Sequence, residues 1–167
     1  DTSVWGLVKK RVPLLIVLLI LGTFTTNVVH RYEQIIIGAA FLTIFIPIIT
    51  QTGGNTGSQS TTLMIRGLAT GEIQFRSLGT IILREIIVGL MLGIITGGVI
   101  ILRSSFLPPG VDLYEGLVIG TSLSLVVIVA NLIGTIAPLI IHKLGADPAV
   151  MSTPLITPLI DVCGLTI

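Results

Sequence analysis

The stretch KKRVPLLIVLLILGTFTTNVVHR, Lys9–Arg31, decides the fold class. Between its basic start and its His-Arg end, Val12 to Val29 carries no charge, and such a run is long enough for a membrane helix. A secretory signal would have a shorter apolar centre and an A-x-A cleavage site after it. Neither is present, so the run reads as a retained helix with Pro13 near its first turn. The rest of the chain has the same character. Of its 167 residues 52% are hydrophobic and 10% charged, and mean hydropathy is +1.06. A soluble domain carries about 25% charged residues to solvate its surface, so a soluble enzyme is excluded.

Charges divide the sequence into further apolar runs: Ile35 to Met64 with a helical extension to about 69, Thr80 to Leu102, Gly116 to Ile141, and Val150 to Ile167. The expected fold is therefore an all-α integral membrane protein with five transmembrane helices, one membrane domain over residues 1–167. With the N-terminus in the cytoplasm, Lys9, Lys10, Arg11, Arg66, Arg76, Arg84 and Lys143 lie inside and only Arg31 and Arg103 outside. This satisfies the positive-inside rule and places the C-terminus outside. A net charge of +1 offers no field for nucleic acid. Cys163, the single cysteine, excludes an intrachain disulfide.

Polar groups within spans are costly unless paired or hydrated, so function is sought there. The first region is TQTGGNTGSQSTT, Thr50–Thr62. At helical spacing Asn55, Ser58, Gln59 and Thr62 share one face, and Gly53, Gly57 and Thr61 form a small-residue series on a neighbouring one. The polar face reads either as a hydrated vestibule or as a packing seam with amides bonded across it. The small-residue series permits close helix approach and is expected to serve dimer contact.

The second region is Asp161, within PLITPLIDVCGL. Ten residues after Met151, or about 15 Å along a helix, it lies near the bilayer midplane. Pro154 and Pro158 lack the N–H that would bond the carbonyl one turn earlier, leaving freed oxygens beside a carboxylate. An all-oxygen site suits a hard cation. The alternative is an Asp bonded to another helix. Weaker candidates are Glu72, with Arg76 four residues on, Glu85 beside Arg84, and Asp147, which reads as a helix N-cap before Pro148. Asn131 reads as a packing amide. His30 and His142 have no second His or Cys at ligand spacing, which disfavours a transition-metal site. No nucleotide-binding, metalloprotease or hydrolase motif is present, so no enzyme is expected.

FIPIITQTGGNTGSQSTTLMIRGLATGEI (Phe45–Ile73), LREIIVGLMLG (Leu83–Gly93), ANLIGTIAPLI (Ala130–Ile140) and DPAVMSTPLITPLIDVCGL (Asp147–Leu165) together resemble the membrane domain of MgtE-type magnesium channels. The resemblance covers essentially the whole chain. It implies five spans per subunit and a homodimer in the bacterial inner membrane, with one pore on the two-fold axis lined by spans two and five. By resemblance Asp161 is the central Mg²⁺ ligand, with the backbone carbonyl of Thr157 on the wall, and Thr153, Pro154 and Pro158 are further pore-lining candidates. Mg²⁺ is then the transported ion, moved down its electrochemical gradient, and no organic cofactor is implied. A carrier coupled to H⁺ or Na⁺ and a non-conducting assembly module are the competing readings. Family members carry cytosolic N-terminal and CBS regulatory domains, which are expected to lie outside this chain. Ser58 and Thr153 stand where many members have Asn, and the shorter hydroxyls imply a wider or differently hydrated constriction.

Overall fold

A computed structural model describes residues 3–73, 78–108 and 110–167, with residues 150–155 described as helical backbone alone. The described residues form the helices α1 (Val4–Arg31), α2 (Glu33–Gly38), α3 (Ala40–Ala69), α4 (Leu78–Phe106), α5 (Leu113–Lys143) and α6 (Pro148–Thr166). Among them α1, α4 and α5 are each long and apolar enough to cross a membrane, and α6 contributes a shorter apolar helix, Ile156–Thr166. With 30 residues α3 has ample length, about 45 Å at 1.5 Å per residue, but its polar centre lowers its hydropathy.

Helices α1, α5 and α6 begin before their apolar runs, because polar side chains cap them. Ser3 Oγ accepts from the Gly6 N–H at 3.2 Å, so α1 starts well before Val12. Pro13 consequently lies inside the helix rather than near its first turn. Asp112 and Glu115 form a capping box at the start of α5: Asp112 Oδ1 accepts from the Glu115 N–H at 2.7 Å, and Glu115 Oε2 from the Asp112 N–H at 3.3 Å. Asp147 caps α6, its Oδ1 accepting from the Ala149 N–H at 2.9 Å, with Pro148 opening the helix. The expected second span, beginning at Ile35, is interrupted. Ala39 adopts φ −124°, ψ 65° between α2 and α3, directly after Gly38, a residue costly in a helix. At the far end of α3 the chain reverses at Gly71, whose φ of 74° suits glycine.

The order of contacts along each pair of helices fixes their directions. On α3, Gly53 meets Val126 and Gly57 meets Ala130 of α5, so these two run parallel. On α4, Gly89 meets Asn131, Gly93 meets Ser124 and Ser104 meets Gly116 of α5, so α4 and α5 run antiparallel. Gly53 and Gly57 also face Ile160 and Ile156 of α6, with Gly54 against Thr157, which makes α3 and α6 antiparallel. Helix α5 is central, packed on α3, α4 and α6. One core cluster joins Phe45, Ile49, Ile100, Ile119, Leu123, Val126 and Val127. Helix α1 touches α2 and α6 and buries none of its residues.

Small residues carry these contacts because lipid gives helices little hydrophobic reason to associate, so close packing decides. A Cβ on Gly53 would stand 2.7 Å from Val126 Cγ1. Gly53 and Gly57 are thus intrachain contacts of α3 with α5 and α6, not the dimer contact expected from the sequence. Thr61 joins the same seam, donating from Oγ1 to the Gly134 carbonyl at 3.2 Å.

Candidate cation site

Helices α3 and α6 cross with the glycine seam inward, and the opposite flank of that crossing is polar. A groove of about 360 Å³ opens there. From α3 it is lined by Pro47, Thr50, Gln51, Gly54, Asn55 and Ser58, and from α6 by Thr157 and Asp161. A second depression of about 520 Å³ continues along α3 past Asn55, Ser58, Gln59, Thr62 and Leu63. Asn55 and Ser58 border both, so the polar surface is continuous over several turns. At 100° per residue, Gln51, Asn55, Ser58, Gln59 and Thr62 must share a face, and here that face is open.

Asp161 is half-buried. Among the described residues its carboxylate makes no hydrogen bond or ion pair, and the reading of an Asp bonded to another helix of the same chain finds no partner. Thr157 stands one turn earlier, exposed on the same groove wall. The available donors are one carboxylate, several hydroxyls and two amides from Gln51 and Asn55. Among the described residues no three His, Cys, Asp or Glu side chains converge. Such a wall suits a hydrated hard cation held through its waters rather than a stripped ion in a chelating cage.

The other sequence candidates fall elsewhere. Pro158 is half-buried and does not line the groove, and α6 passes through it unbroken. The side chains of Thr153 and Pro154 lie outside the described residues, as does Arg76, the expected partner of Glu72. Glu72 itself is exposed beyond the end of α3. Asp147 is engaged as the cap of α6. Glu85 is buried, 9% exposed, on the far side of the bundle. Its carboxylate pairs with Arg84 at 3.2 Å and lies 3.5 Å from Asn131 Nδ2.

Thr50 and Gln51 belong to the polar Thr50–Thr62 stretch but not to the face that helical spacing assigns to Asn55, Ser58, Gln59 and Thr62. Gln51 sits four residues before Asn55, so extending the polar stripe one turn back would have found it. The bond from Ser60 Oγ to Asn131 Oδ1, at 2.6 Å, joins residues far apart in the chain and had no local signal.

The sequence profile of MgtE, described as a divalent cation transporter, matches residues 46–167, a segment that contains the whole groove from Pro47 to Asp161. The chain belongs to the MgtE family. It is 39% identical over 162 residues to the magnesium transporter MgtE of Thermus thermophilus, a match covering 94% of this chain and 34% of that protein. Against the magnesium transporter MgtE of Enterococcus faecalis it is 39% identical over 159 residues, 95% of this chain and 35% of the relative. The magnesium transporter MgtE of Bacillus subtilis is 35% identical over 167 residues, 100% of this chain and 37% of its own length. The chain thus spans about a third of the length of these relatives. Membership in this family, with the long apolar helices, makes it an integral membrane protein.

Proposed function

We propose that this chain is the pore domain of a Mg²⁺ channel, in which two copies pair about a two-fold axis and hydrated Mg²⁺ passes between their grooves down its electrochemical gradient. One observation carries this reading: Asp161, a carboxylate with no hydrogen bond or ion pair among the described residues, lines an open groove with Asn55, Ser58 and Thr157. In hydrocarbon the exposed amides of Gln51, Asn55 and Gln59 would be costly, so the open flank calls for a cover that is itself polar or wet. A second copy supplies one. Its groove is the same surface, and an isologous two-fold contact places two Asp161 carboxylates on one path. Two negative charges then face one divalent ion, which tends to keep several waters and needs few direct ligands. The backbone carbonyl of Thr157 and the hydroxyls of Ser58 and Thr62 are the neutral oxygens we assign to its water shell.

Five spans are assigned to α1, to α3 with its α2 lead-in, and to α4, α5 and α6. The alternation of these helices supports a common end for Lys9, Lys10, Arg11, Arg66, Arg84 and Lys143, which is cytoplasmic by the positive-inside rule, with the C-terminus outside. The membrane is the bacterial inner membrane, and the remaining two thirds of the relatives' length leave room for cytosolic regulatory domains. Flux of Mg²⁺ into liposomes holding the purified chain, with no Na⁺ or H⁺ gradient present, tests the channel. Sustained uptake is expected. Uptake that stops when the Na⁺ or H⁺ gradient is collapsed would instead make the protein a coupled carrier.

A further inference from the structure

Behind the polar face, α3 is joined to its neighbours by one buried amide. Asn131 of α5 is 2% exposed, and Ser60 of α3 is 7% exposed. Asn131 Oδ1 accepts from Ser60 Oγ at 2.6 Å, while Asn131 Nδ2 donates to the Glu85 carbonyl of α4 at 2.7 Å. Gly89 makes room for the amide: a Cβ there would stand 3.3 Å from Nδ2.

Neither partner depends on Asn131 for its own satisfaction. Ser60 Oγ has a second acceptor in the Thr56 carbonyl at 3.1 Å. The Glu85 carbonyl, inside α4, is positioned for its helical partner, the Gly89 N–H. A buried amide between groups that are otherwise satisfied adds little net stability, since its own desolvation offsets most of what its bonds return. What it adds is direction. The Gly57–Gly134 seam has one polar tie of its own, from Thr61 Oγ1 to the Gly134 carbonyl at 3.2 Å, and the shorter Ser60–Asn131 bond at 2.6 Å tolerates still less misalignment. Ser60 directly follows Ser58 and Gln59, so whatever fixes Ser60 fixes the angle at which those two meet the groove. A turn of α3 by about 20° would swing a side chain about 5 Å from the helix axis through nearly 2 Å.

We propose that Asn131 is a positioning residue for the ion path: by tying Ser60 of α3 to the Glu85 carbonyl of α4, it sets the rotation of α3 and so which polar side chains the ion meets. The inference rests on the pore reading above, and its test separates the two. In liposomes, Asn131→Leu, Ser60→Ala and the double variant are compared with wild type for half-saturating Mg²⁺ and for the ratio of Mg²⁺ to Ca²⁺ flux. Neither quantity depends on how much protein is folded. Each single variant is expected to shift both by about threefold or more, the scale of one lost neutral hydrogen bond, and the double variant to go no further. Ser60→Ala removes one atom and carries the test should Asn131→Leu fail to fold.

A readout independent of transport uses Gln59→Cys in a Cys163→Ser background, labelled by a charged, water-soluble thiol reagent. Adding Asn131→Leu or Ser60→Ala should change the labelling rate by about threefold or more. Unchanged labelling together with unchanged half-saturation would overturn the positioning role. If the wild type passes no ion but the labelling rate shifts, the pore reading fails while Asn131 still sets the rotation of α3.

Discussion

Gly57 and Gly134 bring α3 and α5 into backbone contact. A Cβ on Gly134 would stand 3.0 Å from the Gly57 Cα and closer still to its carbonyl oxygen. The obstacle is main chain, which cannot step aside as a side-chain tip can. Gly134→Ala should therefore cost about 1–3 kcal/mol, the range for overpacking a tight core. Gly98, with nothing within 4 Å of its would-be Cβ, is the matched control. There Gly→Ala should be neutral or slightly stabilising, through helix propensity. Thermal unfolding in detergent compares the two. Equal melting temperatures would show that α3 and α5 are not held this closely.

Because the Gly53–Gly57 seam is intrachain, a bulky residue at Gly57 damages the fold and says nothing specific about pairing. The polar face is the better probe of the dimer. Asn55→Cys in a Cys163→Ser background should cross-link between copies in membranes under oxidation. Ile94→Cys, on a residue 70% exposed on α4, should not. Cross-linking through position 94 with none through 55 would place the two-fold contact on the other side of the molecule.

Asp147 is engaged as an N-cap, so its removal should register in stability rather than in transport. Asp147→Ala is expected to cost about 1 kcal/mol, and Asp147→Asn a few tenths, because Asn caps nearly as well. Neither should alter the ratio of Mg²⁺ to Ca²⁺ flux in liposomes. A changed ratio in Asp147→Asn would return this carboxylate to the ion path.

Much of this architecture is legible in residue order, and its limits follow from what local chemistry encodes. The Asp147-Pro148 start of α6 is readable because cap and proline are adjacent. Ser3 is not, since Lys9, Lys10 and Arg11 look like a boundary although helices run on through interfacial charges. The break at Ala39 has no proline to announce it, and its only local sign is Gly38. Spacing alone aligns Asn55, Ser58, Gln59 and Thr62 and separates them from Gly53, Gly57 and Thr61. It does not say which helix each face meets. That depends on Val126, Gly134 and Ile160, which only the folded chain brings near, and so spacing alone points the glycine series at a dimer contact while the fold uses it within one chain. Asn131 reads as a packing amide at once, but its partners Ser60 and Glu85 come from two other helices.

Asp161 carries the central claim, and Asp161→Asn tests it most directly. Asn has nearly the same shape and still accepts a hydrogen bond, so packing is kept while two charges leave the proposed dimer. At an effective dielectric of about 20, a unit charge about 5 Å from a divalent ion contributes on the order of 7 kcal/mol before the cost of desolvation. A remainder of only about 1.4 kcal/mol per copy would change occupancy about a hundredfold in the dimer. Mg²⁺ flux into liposomes containing dimeric Asp161→Asn protein should therefore lose its selectivity for Mg²⁺ over monovalent ions almost entirely. Flux, selectivity and block equal to wild type in that variant would contradict the assignment of Asp161 as the ion site.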